Sequence, residues 1–255
     1  MLSLTLSVYF ICIFFSSRWY VQKLKINYLT ADILESTKVL ENEKKETISN
    51  ENYDPGNDDK YANISFMSVD FTELLKKNSD TKAWIKVNNT NVNYSVLQSN
   101  DNEYYLKHDF NRNSNFGGWI YGDFRDDFTH FGNNTIIYGH NLINKTMFGS
   151  LIWCQRESWY KNEDNLFIKL STPTSNTVWK IFSIYQIKPE TYYLKTYFET
   201  TEEHQDFLDT LRKRSIYDFN EDLTYNDKIL TLSTCSDDGT KRAVIHAKMI
   251  KAEYR

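Results

Sequence analysis

The chain has 255 residues, 40% of them hydrophobic, enough to bury one good-sized core, so one main domain with appendages is the expectation. A formal net charge of -4, with no basic stripe interleaved with aromatics, leaves no electrostatic footprint for nucleic acid. Three cysteines, one of them inside the apolar amino terminus, do not make a disulfide framework.

Leu2 to Phe15 is almost wholly apolar, and residues 1–21 read as an N-terminal membrane anchor or signal segment. A spanning helix needs about 20 residues, reached here only by running on through Arg18 to Val21, so a cleaved signal peptide stays open. Residues 22–65 are polar, rich in Lys, Glu and Asn, and read as a partly helical stalk. Thr30 is the expected cap of a helix reaching about Glu46, with Ile33, Leu34, Val39 and Leu40 as its thin apolar stripe. The third unit, residues 66–255, opens with a short helix containing Phe71, Leu74 and Leu75, capped by Ser68 or Asp70.

From Ala83 the pattern is that of strands, expected at Trp84–Val87, Tyr94–Gln98, Gly118–Gly122, Asn134–His140, Leu166–Leu170, Val178–Gln186, Lys228–Thr234 and Ala243–Lys251. Between the sixth and seventh, Thr201 to Ser215 has helical spacing with Phe207, Leu208 and Leu211 on one face. The connection Lys188 to Thr200 is too long for a hairpin and rich in tyrosine, which suits a binding loop. Eight strands with few Gly and Pro predict a mainly β fold with peripheral helices, closed or nearly closed as a barrel.

Ile229 to Cys235 is an apolar strand that delivers a thiol to its carboxyl end, and Thr135 to Asn141 is another that ends in His140. The strand Ala243 to Ala247 begins directly after Arg242. Singly, a core thiol, a surface imidazole and a solvated guanidinium are the plainer readings. Together at strand ends they are the parts needed for acyl transfer through a thioester. A free thiol with a pKa near 8.5 is mostly protonated at neutral pH, and His140 and Arg242 are the groups this placement brings near. Asp237 and Asp238 would raise a neighbouring thiol's pKa and are expected to point outward. Cys154 has no basic neighbour beside it and reads as core, while Asn141 projects to the other face of a continuing strand and is a poor partner for His140. His108, His130, His204 and His246 lack metal-ligand spacing, so no metal or cofactor is expected, and strand alternation leaves the facing of His246 open.

At these residues the chain resembles the class B sortases, membrane-anchored cysteine transpeptidases of Gram-positive bacteria. Thr231 to Cys235 followed by Arg242 is similar to their active-site strand pair, and Tyr138-Gly139-His140-Asn141 to their histidine segment. Further blocks agree in order: Asp70 to Leu75, Ala83 to Val87, Asp101 to Leu106, Met147 to Leu151 and Thr191 to Thr196. The resemblance covers residues 66–255 and implies an eight-stranded sortase barrel with N-terminal helices and a helix between the sixth and seventh strands.

It also implies roles. Cys235 is the nucleophile, His140 the acid and base, and Arg242 the stabiliser of the oxyanion or holder of the substrate backbone. Asn102 and Leu106 line the groove, Tyr193 and Leu194 cover it, and Ser233 bonds near the substrate threonine, although Leu106 and Leu194 read equally well as core. The implied partners are a sorting-signal peptide (NPQTN-like or xPxTG-like) and a peptidoglycan cross-bridge amine or lipid II, with the N-terminal segment in the membrane and the catalytic domain outside. Arg18, Lys23 and Lys25 follow that segment and no basic residue precedes it, so the outward orientation is implied by the resemblance alone. The chain departs from the family at Ser95, where Pro is usual, and in the short turn between Cys235 and Arg242. Asp54-Pro55-Gly56 lacks the aromatic that anchors the lid of pilus-polymerising sortases, which disfavours that alternative. The remaining one is a surface β-barrel binding module with an inert cysteine.

Overall fold

A computed structural model describes residues 2–41, 61–234 and 240–255. The expected end of the stalk helix, the Asp54-Pro55-Gly56 turn, Cys235, Asp237 and Asp238 lie outside the described residues.

Helix α1 runs unbroken from Leu2 to Ser36, so Thr30 lies inside a helix and caps nothing. Its packed stripe is Ile26, Leu29 and Ile33, at helical spacing, whereas Leu34 and Leu40 are exposed. Of the expected stripe, Ile33 and Val39 pack against the core, but the helix ends at Ser36, short of the expected Glu46, and Val39 and Leu40 belong to a strand. Among the described residues no helix is long and apolar enough to cross a membrane. Two short strands that composition did not reveal, β1 (Val39–Glu41) and β2 (Met67–Val69), pair antiparallel and tie this region to the domain. Helix α2 (Thr72–Lys77) follows; its N-cap position is Phe71 and neither Ser68 nor Asp70, although Asp70 just before it accepts the Thr72 amide at 2.9 Å.

All eight expected strands form: β3 (Thr81–Val87), β4 (Asn93–Leu97), β5 (Tyr121–Gly122), β6 (Asn134–Gly139), β7 (Phe167–Ser171), β8 (Ser175–Ile187), β9 (Ile229–Thr234) and β10 (Arg242–Tyr254). They close a barrel in the order β10-β8-β7-β3-β4-β5-β6-β9. Short helices α3 (Tyr104–Lys107) and α4 (Glu157–Tyr160) lie in the connections. Closure leaves the barrel no open edge, and residues such as Trp84, Ile85, Trp179 and Leu232 belong to the main hydrophobic core. Cys154 is fully buried there, and burial pushes its thiol pKa well up. Ser95 stands in β4 with its hydroxyl and carbonyl accepting the Trp119 indole N–H, each at 3.1 Å.

Helix α5 (Thr201–Lys213) joins β8 to β9, as expected. Thr200 accepts the Glu203 amide at 3.1 Å, and the buried face carries Phe207, Leu208 and Leu211. With Phe182, Tyr185, Tyr193 and Val244 they form a second core outside the barrel, under the tyrosine-rich connection.

Candidate active site at the strand ends

Two pairings decide what meets at the rim. Strands β6 and β9 are parallel neighbours, with Tyr138 opposite Ser233 and Gly139 opposite Thr234, so their carboxyl ends reach the same edge. Strand β10 runs antiparallel to β9 with Val244 opposite Ser233, which brings its amino end, Arg242, to that edge too. The β6 ladder ends at Gly139–Thr234 and the β10 ladder at Val244–Ser233, so His140 follows the last paired residue of β6 and Arg242 opens β10 at the same edge. Cys235, the next residue after Thr234 in the chain, lies outside the described residues.

His140 directs Nε2 to the carbonyl of Leu106 at 2.8 Å. A carbonyl only accepts, so Nε2 carries the proton and Nδ1 is the nitrogen left to exchange one. Leu106 thus meets the histidine through its backbone. That carbonyl is held in place by Gly118, whose φ is +52°; a Cβ there would lie 2.4 Å from the Tyr105 carbonyl oxygen and 2.7 Å from that of Leu106. Asn141 does not orient His140: its buried Oδ1 makes no hydrogen bond.

Arg242 is half-buried, and its Nη1 donates to the Tyr193 hydroxyl at 3.2 Å. That hydroxyl also shares a hydrogen bond with Ser233 Oγ at 3.0 Å, in which either oxygen can donate. Tyr193 is fully buried and links two other predicted site residues. Leu194 is half-buried, and its carbonyl accepts Arg125 Nη2 at 3.0 Å.

Asn102 belongs to a separate polar cluster centred on Asp123. The fully buried Asp123 carboxylate accepts Arg125 Nε and Nη2, both at 2.8 Å, the Tyr138 hydroxyl at 2.9 Å and Asn102 Nδ2 at 2.9 Å. Burial opposes ionisation of Asp123, but these hydrogen bonds outweigh it and hold the carboxyl below its usual range. Burial, with the Asp123 charge beside it, pushes the Tyr138 hydroxyl far up, so it stays protonated and donating. Sequence reasoning missed Asp123, Arg125 and Tyr138. The available signal was the run Asp123-Phe124-Arg125 directly after the end of β5, a strand end charged with both signs. Tyr138 stands beside Ser233 in the β6–β9 pair, so this cluster borders the Arg242–Tyr193–Ser233 group.

The family model of the sortase domain matches residues 85–250. Sortase B of Staphylococcus aureus is 37% identical over 184 residues, which cover 71% of this chain and 75% of that relative. Among solved structures, a Staphylococcus aureus sortase B–substrate complex superposes with a TM-score of 0.67 at 36% identity, covering 71% of this chain and 84% of that one. A sortase B complexed with triglycine superposes with a TM-score of 0.67 at 36% identity, covering 71% and 85%.

Proposed function

The chain belongs to the sortase family, within its B class of cysteine transpeptidases that anchor surface proteins, and on that premise we propose that it cleaves a C-terminal sorting signal after threonine and passes the acyl group to a cell-wall amine. The Cys235 thiolate attacks the threonine carbonyl carbon, forming the C–S bond and an oxyanion. His140, charged at Nδ1, gives that proton to the departing amine as the C–N bond breaks. The thioester is then attacked by the incoming amine, which loses a proton to Nδ1 as the new C–N bond forms and sulfur leaves. Arg242 supplies fixed positive charge for the oxyanion, an effect worth a few kcal/mol when the donor is preorganised.

The observation that supports this reading is that the carboxyl ends of β6 and β9 and the amino end of β10 meet at one edge, His140 following β6 and Arg242 opening β10, while Cys235 follows Thr234 of β9 in the chain. The hydrogen bond that His140 Nε2 donates to the Leu106 carbonyl leaves Nδ1 for proton transfer, and the bond to Tyr193 fixes the guanidinium. The substrate complex and the triglycine complex of sortase B relatives support a sorting-signal peptide and an amine as the two partners. Incubation with a library of sorting-signal peptides and candidate amines, read by mass spectrometry, tests both halves. Products joined at threonine to the amine are expected, and their absence with every pair refutes the reading. The apolar run Leu2 to Phe15 is proposed to bring the enzyme to the membrane with its domain outside. Protease shaving of intact cells that leaves the chain untouched would exclude that orientation.

A further inference from the structure

Behind the rim lies a buried polar chain that the mechanism above does not use, and the direction of each of its hydrogen bonds can be derived. Asn134 Nδ2 donates to the carbonyls of Tyr193 at 3.1 Å and Lys195 at 2.9 Å, which leaves its Oδ1 as an acceptor. The Thr231 hydroxyl donates to that Oδ1 at 2.6 Å. With its proton committed, Thr231 Oγ1 accepts from His246 Nδ1 at 2.8 Å. The neutral ring then has its lone pair on Nε2, which accepts from the Tyr185 hydroxyl at 2.8 Å, and Tyr185 in turn accepts from Tyr192 at 2.9 Å. Burial pushes His246 down to about 3, which keeps the ring neutral.

The chain therefore starts at the side chain of Tyr192 and ends at the backbone of Tyr193 and Lys195, crossing β8, β10, β9 and β6 on the way. Asn134, Thr231 and His246 are completely shielded from solvent, so no water competes for these bonds. Arg125 captures the remaining carbonyl, that of Leu194, and all three successive carbonyls of the connection are held by side chains. Tyr193, at the centre of this segment, is the residue whose hydroxyl receives Arg242.

We propose that His246 is a positioning residue, which through Thr231 and Asn134 on one side and Tyr185 and Tyr192 on the other fixes the Tyr192–Lys195 segment and thereby the aim of the Arg242 guanidinium. The inference rests on the role given to Arg242 above. A buried histidine that merely filled the second core would need no directional chain returning to the segment it started from.

The test uses the full chain, a quenched-fluorophore peptide carrying NPQTN, and steady-state kinetics. Thr231→Val keeps the shape and removes the hydroxyl; it should lower kcat about tenfold with KM within about twofold, and Thr231→Ser should restore the rate. In an Arg242→Lys background, Thr231→Val should cost less than about twofold more, because the two changes act on one group. Tyr192→Phe, at the half-buried start of the chain, should lower kcat in the same sense without loss of folding. Nitrogen-15 spectra of the wild type should show His246 protonated at Nδ1. A normal rate in Arg242→Lys removes the role on which the inference stands. An impaired Arg242→Lys alongside an unimpaired Thr231→Val, or an undiminished Thr231→Val loss in that background, overturns the positioning role alone. So does a ring protonated at Nε2, which decides the matter even if Thr231→Val fails to fold.

Discussion

Asp126 makes the protein lose stability as pH rises from acid to neutral, a fall that one substitution should remove. Its carboxylate follows β5 and accepts the Ile136 amide at 2.6 Å, tying the Asp123–Asp126 turn to β6, the strand that leads into His140. Burial raises its pKa and the neighbouring Asp123 charge raises it further; the Ile136 amide and Arg125 only partly oppose them, and the result is a rise from 3.8 to about 7. Between those values the folded state binds the proton and the unfolded state does not, so stability falls as pH rises through the window and is flat above it. At about 1.4 kcal/mol per pH unit the whole window would amount to roughly 4 kcal/mol. The carboxyl is half-buried, and solvent screening reduces this to about 1–2 kcal/mol. Asp126→Asn keeps an acceptor for Ile136 and cannot ionise. Its melting temperature relative to wild type should climb by roughly 3–6 °C from pH 4 to pH 8. Any constant packing cost of the amide shifts that difference without tilting it, so the slope is the test. A difference that stays level across the range, or declines toward alkaline pH, refutes the reasoning.

Cys235→Ala should abolish peptide cleavage, and alkylating the wild type should do the same while Cys154, sealed in the core, stays unlabelled; full cleavage after complete labelling at Cys235 would remove the thiol from the mechanism, and no cleavage even before labelling would favour the binding module. Arg242→Lys keeps the charge but loses the donor fork, and should lower kcat more than it raises KM, as steady-state kinetics will show. Gly118→Ala places a methyl group against the Tyr105 and Leu106 carbonyls at a φ of +52°, adding about 1–2 kcal/mol of left-handed strain. Because the displaced Leu106 oxygen holds His140, denaturation and turnover should both suffer, and a normal kcat would separate that carbonyl from catalysis.

The barrel was legible because each strand is a run of β-branched and aromatic residues bounded by turn formers, and α5 because Phe207, Leu208 and Leu211 keep helical spacing. The three-residue strands β1 and β2 are too short to show a period, and α1 begins and ends before the expected Thr30 and Glu46. Strand ends were readable as places where a thiol, an imidazole and a guanidinium are presented. Their supporting shell was not, because Asp123, Arg125 and Asn134 act through hydrogen bonds to partners far along the chain that no local pattern encodes. The facing of His246 could not be read by alternation for a specific reason: the register between β10 and β8 shifts between His246 and Ala247, which breaks the period of two at that residue.

The dependence of the site on register explains why so much buried polar bonding surrounds β9. Slipping a strand by one residue exchanges its two faces and moves its end by about 3.3 Å. A slip of β9 against β6 would carry Thr234 off the line with Gly139, and a slip against β10 would carry Ser233 off the line with Val244. Fully buried Leu230 and Leu232 oppose such a slip, because it would turn both away from the core face. Apolar packing is tolerant of small displacements along the strand, whereas a hydrogen bond is not. The bonds Thr231 makes to Asn134 on one neighbouring strand and His246 on the other therefore lock β9 to both at one level. The lock sits on the strand whose last residue, Thr234, precedes Cys235 in the chain.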